Sequence, residues 1–180
     1  MSRRAALLAA VLAAGCSGAG ATPDGPADMT LPGLAEILLG GTASDGSGFS
    51  TLAGDQTLVA GAQGGFHVWL KYRVAGMPEA RLKVHRETHR LSDDALILLA
   101  NGTQEVGAPG PDGYWELPVA LPSFMCPTPI GITVIDEAVI FTVDIAGADG
   151  TPLAHGSAQA TVRCPTAEPD AGFCRHICSG

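Results

Sequence analysis

Two short stretches hold most of the side chains able to do chemistry: GFHVWLKYRVAG, residues 65–76, and ARLKVHRETHRL, residues 80–91. Imidazoles with a carboxylate are ligands for zinc or copper(II). His67, Glu87 and His89 are therefore the candidate metal set. Cations beside an indole suit an anionic group, such as a phosphate, a uronate or an acidic partner surface. Trp69, Lys71, Arg73, Lys83 and His85 form that candidate binding set. The stretch HRETH is not a metalloprotease motif, because Arg86 stands where the catalytic Glu would follow the first His and the context is strand-like. No Gly-x-Ser-x-Gly elbow frames Ser47 or Ser157. Asp93-Asp94 and Asp136-Glu137 are adjacent pairs that extended backbone would splay to opposite faces. His155 and His176 have no evident partners. The expectation is a non-catalytic protein with no catalytic residue and no cofactor.

These side chains need a scaffold that holds them side by side. Side chains alternate along a strand, so Phe66, Val68, Leu70, Tyr72 and Val74 share an apolar face while His67, Trp69, Lys71 and Arg73 share the other. Gly64-Gly65 predicts a bulge or a close backbone approach just before. After a turn at Gly76 to Glu79, Leu82 and Val84 repeat the inward parity, and Lys83, His85, Glu87 and His89 the outward one. A hairpin pairing Val74 with Leu82 would set Lys71 opposite His85, Trp69 opposite Glu87 and His67 opposite His89, with Cβ atoms about 4.5–5.5 Å apart. In that register Arg86 and Arg90 point inward, which predicts that the pairing decays beyond His85. A charged strand edge also protects a sheet from pairing with neighbours.

Turn signals recur along the chain: Asp45-Gly46, Gly54-Asp55, Gly64-Gly65, Gly76-Met77-Pro78, Asn101-Gly102, Asp112-Gly113 and Asp149-Gly150. They bound strand-like runs at 56–60, 66–74, 81–86, 95–99, 114–121, 130–135, 138–146 and 154–163. Leu34 to Leu39 reads equally well as a helical turn. Val139, Phe141, Val143 and Ile145 alternate with Ile140, Thr142 and Asp144, and Ser157, Gln159, Thr161 and Arg163 form a polar row after the Gly150 turn. Many short strands with regular turns predict an all-β fold, a single antiparallel β-sandwich of immunoglobulin-like type. The sandwich spans 31–164, and 165–180 is a loop-rich, Cys-containing C-terminal tail.

At the other end, Arg3 and Arg4 precede an uncharged Ala- and Leu-rich run, Ala5 to Ala14, and then Gly15-Cys16. That run is shorter than the roughly 20 residues a spanning helix needs and has the form of an export signal, 1–15. The end resembles the lipobox of bacterial lipoproteins, although Ala13 stands where Leu is commonest. The resemblance implies cleavage before Cys16, acylation of Cys16, and an outer-membrane or cell-surface location anchored by lipid. Ordinary secretion is the alternative. Residues 16–30 would then be the lipidated Cys and a flexible tether. A second resemblance lies in LLGGT and FSTLAGDQTLVAGAQGGFHVW. Gly40, Gly41, Gln63, Gly64, Gly65, His67 and Trp69, with Asp144 and Gly147, resemble a pattern in bacterial lipoproteins of unknown function, with Ala62 in place of the usual Pro. It implies fold and export but no activity.

The net charge is −8, and loss of Arg3 and Arg4 takes it to −10. An acidic exported chain lacks the basic footprint of nucleic-acid binders. The implied partners are a membrane, through the anchor, and an anionic glycan or protein in the envelope. Six of the eight remaining Lys and Arg lie between Lys71 and Arg90. With Cys16 given to lipid, Cys126, Cys164, Cys174 and Cys178 make an even set for two disulfides. Cys126–Cys164 with a local Cys174–Cys178 clip is the favoured pairing, since Cys126 and Cys164 each end a strand-like run. A zinc site is a poorer use of this spacing.

Overall fold

The computed structural model describes residues 34–180. The leader 1–15, Cys16 and the tether to residue 30 lie outside the described residues. In chain order the elements are β1 (Ala35–Gly41), β2 (Ser50–Thr51), β3 (Asp55–Thr57), β4 (Val59–Ala60), β5 (Phe66–Ala75), β6 (Ala80–Arg90), β7 (Leu96–Val106), β8 (Tyr114–Glu116), β9 (Leu121–Cys126), β10 (Ala138–Ala146), β11 (Pro152–Arg163) and α1 (Asp170–Ile177). The strands form one sheet in the order β4-β5-β1-β11-β10-β6-β7. β2 joins β1, β3 joins β11, and both β8 and β9 join β5. Neighbours are antiparallel except that β1 and β3 each run parallel to β11.

The sheet curls because its apolar rows are on one side and must meet each other. Phe66, Val68, Leu70, Tyr72 and Val74 of β5 are each no more than 3% exposed, and Val139, Phe141, Val143 and Ile145 of β10 no more than 1%. Full burial of one such side chain contributes roughly 1.5–3 kcal/mol. The curl brings the β5 side over the β6–β10 side, so that Tyr72 of β5 and Val84 and Arg86 of β6 line the same cleft. β1 turns the corner. Its first residues, Ala35 and Glu36, pair with β11, and Ile37 to Gly40 pair with β5. Gly156 of β11 makes this crossing possible, since a Cβ there would overlap the Ile37 carbonyl. At Gly65 a Cβ would lie 2.6 Å from the Cys126 carbonyl oxygen, and the β5–β9 register shifts next to it, between Phe66 and His67. This is the close approach that the Gly pair predicts.

Several expectations need correction. The ambiguous Leu34–Leu39 run is extended, as β1. Asn101-Gly102 is no turn but lies within β7, which runs on to Val106, and residues 130–135 form no strand. The 114–121 run divides into β8 and the start of β9. The expected 66–90 hairpin does not pair. β5 bonds to β1, β4, β8 and β9, whereas β6 bonds to β10 and β7. The turn at Gly76 carries the chain from one side of the curl to the other. Arg86 and Arg90 do point inward with the Leu82–Val84 row, but β6 pairing with β7 and β10 persists to His89 and Arg90.

The tail holds the short helix α1 between turns, and this changes the disulfides. α1 and the turn after it place Cys174 and Cys178 one helical turn apart, both fully buried. Each reaches a different strand end: Cys178 bonds Cys126 at the end of β9, and Cys174 bonds Cys164 just past β11. The expected Cys126–Cys164 and Cys174–Cys178 pairs are not formed. One helix thus staples the β9 side of the curl to the β11 side.

Candidate functional site

The outward row of β5 is largely covered. The segment 42–49 lies across it: Trp69 Nε1 donates to the Ser44 carbonyl at 2.9 Å, and the Arg73 guanidinium sits 4.2 Å over the Phe49 ring. Lys71 is only 7% exposed and donates to Glu116 Oε1 at 2.8 Å, while Arg73 Nε donates to Glu116 Oε2 at 2.7 Å. The paired cations hold the Glu116 carboxyl below its ordinary range, with the Lys71 hydrogen bond foremost. β8 supplies this carboxylate because it pairs with β5 at Arg73. His67 is buried at 4% exposure. Its ring stands edge-on to Trp69 at 4.3 Å and to Phe124 at 5.7 Å, and neither ring nitrogen has a hydrogen-bond partner among the described residues. Burial lowers its pKa, which favours the neutral imidazole.

The outward row of β6 is open. Asn101, His85, Asp144 and His155 lie abreast on β7, β6, β10 and β11, with Glu36 of β1 beside His155. His85 Nε2 and His89 Nε2 share Glu87, one on each carboxylate oxygen, at 2.9 and 3.1 Å. His85 Nδ1 meets Asn101 Oδ1 at 2.7 Å, and His89 Nδ1 meets the Asp94 carbonyl and carboxylate, both at 3.0 Å. Next to them His155 Nδ1 meets Asp144 Oδ1 at 2.7 Å. The hydrogen bond to Asn101, then that to Glu87, raises the pKa of His85; the Asp94 carbonyl does most to raise that of His89. Glu87 is lowered in return, chiefly by His85. The result is a hydrogen-bonded line of imidazoles and carboxylates on a sheet face, each about one-fifth to one-half exposed.

The structure therefore sorts the expected residues into two groups. His67, Trp69, Lys71 and Arg73 belong to the β5 face. Lys83, His85, Glu87 and His89 belong to the β6 face, on the far side of the core. His67 does not join Glu87 and His89, because the hairpin that would have brought them together is not formed. The two remaining metal candidates do meet, with His85 as the third member. Among the described residues, the group of three or more donors whose ligand atoms all lie within 4.8 Å of one another is Cys164, Cys174 and Cys178, and these sulfurs are in disulfides. The basic concentration between Lys71 and Arg90 is also mostly neutralised. Arg81 lies 3.7 Å from Glu105, and Arg90 is paired with Asp93 at 2.6 Å.

Sequence reasoning did not place Asp144, His155 or Asn101 in the site, and His155, expected to stand alone, has Asp144 as its partner. For the first two a signal was present: the Asp149-Gly150 turn sets the β10–β11 register that makes Asp144 and His155 opposite. Asn101 was read as a turn residue. No protein-family model matches this chain, and no curated protein matches it.

Proposed function

We propose that this protein is an exported, lipid-anchored envelope module that binds a partner without catalysing a reaction, and that the outward face of β6, β10 and β11 is its docking surface. The observation that carries this reading is the open line His85–Glu87–His89 beside Asp144–His155. It is polar and partly exposed, whereas the segment 42–49 and Glu116 cover much of the β5 face. Lys83 belongs to the same row. Protonated imidazoles beside Lys83 favour an acidic partner, such as a uronate-bearing glycan or an acidic protein surface. The export leader and Cys16 are read as the anchor, on the outer membrane or cell surface. We take the curled sheet as a variant of the immunoglobulin-like sandwich, with β1 shared between its two sides. The test is retention of the full chain on immobilised polygalacturonate at fixed ionic strength. Retention is expected to fall as pH rises from 6 to 8, and to drop in Lys83→Glu and in the His85→Gln, His89→Gln double variant. Retention that ignores pH and both variants would sink the docking surface. Mass spectrometry of the membrane form should find the mature chain starting at an acylated Cys16.

A second reading has its own observation: two imidazole Nε2 atoms converge on one carboxylate, a donor set suited to zinc or copper(II). A metal would take His85, Glu87 and His89, displacing the present hydrogen bonds. Zinc or copper should then raise the melting temperature, and His85→Ala with His89→Ala should abolish the rise. No shift with either metal removes this reading.

A further inference from the structure

The inward row of β6 reads Leu82, Val84, Arg86, Thr88. A guanidinium in that row sits where an apolar side chain would pack. Thr88 meets Ser123 across the core, Oγ to Oγ at 3.2 Å, so that position is satisfied. Arg86 is not. Among the described residues its one hydrogen bond is a long one, Nη1 to the Pro122 carbonyl at 3.5 Å, and it has no carboxylate within salt-bridge distance. A guanidinium offers five N–H donors, and a half-buried charge without a counter-charge is costly.

A cleft of about 150 Å³ opens against it, lined by Tyr72, Val84, Arg86, Gly102, Gln104 and Leu121 among others. The Tyr72 hydroxyl, on a side chain that is 0% exposed, has no partner among the described residues. Burial pushes its pKa up to about 12, so the phenol keeps its proton and can donate. None of the residues lining the cleft is acidic. The cleft exists because β7 places Gly102 opposite Val84, where an added Cβ would meet nothing within 4 Å. A glycine in a strand interior often marks a place where a ligand approaches the backbone.

We propose that this cleft is a binding site for a small oxyanion, a carboxylate or phosphate group, held by the two-pronged guanidinium of Arg86 and the hydroxyl of Tyr72 and admitted past Gly102. The site lies on the inward side of β6 and shares only Asn101, which also meets His85, with the outward face; it stands whether or not that face docks a partner. The vacant donors call for an acceptor, the unpaired charge calls for a negative one, and the volume limits it to a small group.

The test is calorimetric titration of the purified full chain with inorganic phosphate and, separately, with acetate, in chloride buffer of matched ionic strength. Saturable binding of one or both is expected, and the stronger arm identifies the preferred group. Arg86→Gln should abolish it. Gly102→Leu, which fills the cleft and leaves Arg86 in place, should also abolish it while the melting temperature without anion holds. Tyr72→Phe, which removes a hydroxyl that has no protein partner, should weaken it about tenfold. Failure of both anions to bind more tightly than chloride overturns the proposal, as does binding that survives Gly102→Leu.

Discussion

β5 and β6 carry nearly the same pattern, apolar residues alternating with His, Lys and Arg, yet the two outward rows meet opposite fates. On β5 the segment 42–49 and Glu116 of β8 cover and neutralise the cations, and His67 is sealed among aromatic edges. On β6 the neighbours are β7 and β10, with a register shift against β7 at Thr88/His89; His85, Glu87 and His89 stay about one-fifth to one-third exposed, with Asp94 against His89. The lesson is that alternation decides which side of a strand faces the core but not whether the other side faces water. A second layer of chain, supplied from elsewhere in the sequence, decides that.

The contrast depends on the curl staying closed, so the largest effect should come from opening it. Cys126→Ser with Cys178→Ser releases a cross-link spanning 52 residues and should cost about 4 kcal/mol by loop entropy, measured by chemical denaturation. Cys164→Ser with Cys174→Ser, spanning 10 residues, should cost less, about 2.7 kcal/mol by the same reckoning. If the shorter cross-link proves the more costly one, α1 does not act mainly as the staple across the curl.

A smaller effect is expected from Glu116→Ala, which strands Lys71 nearly buried beside Arg73. The cost should be about 2 kcal/mol, that of an unsatisfied buried group tempered by partial exposure. The matching change on the other face, Glu87→Gln, should cost under about 1 kcal/mol, because exposed pairs contribute little. Similar costs for the two would erase the difference between covered and open faces.

The smallest effect is in pH dependence, and it sharpens the comparison most. His85 and His89 titrate above the ordinary 6.5 in the folded state. Their contribution to stability is complete below 6.5 and is lost as pH rises through the raised values. Glu87 titrates below the ordinary 4.5, so its contribution is present above 4.5 and lost as pH falls through the lowered value. All three contribute fully between these limits. Melting temperature should therefore decline as pH rises above 6.5 through the raised histidine values, and Glu87→Gln should flatten that decline. His67, lowered by burial alone, acts in the other direction. Its neutral form is favoured by folding, so its contribution is present above 6.5 and is lost as pH falls from there through the lowered value, and His67→Phe should remove that component.

Much of the fold is legible residue by residue. The inward row Phe66 to Val74, the Val139 to Ile145 row and the polar row of β11 follow from period-two alternation alone. The Asp149-Gly150 hairpin is equally legible, and with it the Asp144–His155 pair. The candidate site was legible in part. Lys83, His85, Glu87 and His89 share one outward row because parity along a single strand is a local property. The mistaken addition of His67 came from assuming that strands adjacent in sequence pair with each other. Here the turn at Gly76 serves a crossing between the two sides of the curl.

By itself, then, the sequence determined most of the strand character, most turn positions and the inward rows, because each depends on neighbours a few residues away; Asn101-Gly102 and 130–135 are the exceptions. Only the tertiary structure decided that β5 and β6 part, that Cys178 reaches Cys126 and Cys174 reaches Cys164, that Glu116 meets Lys71, and that Arg86 faces an open cleft beside Tyr72. Those outcomes join residues from about 10 to 52 positions apart. Burying two apolar rows against each other selects such contacts, and no local pattern records them.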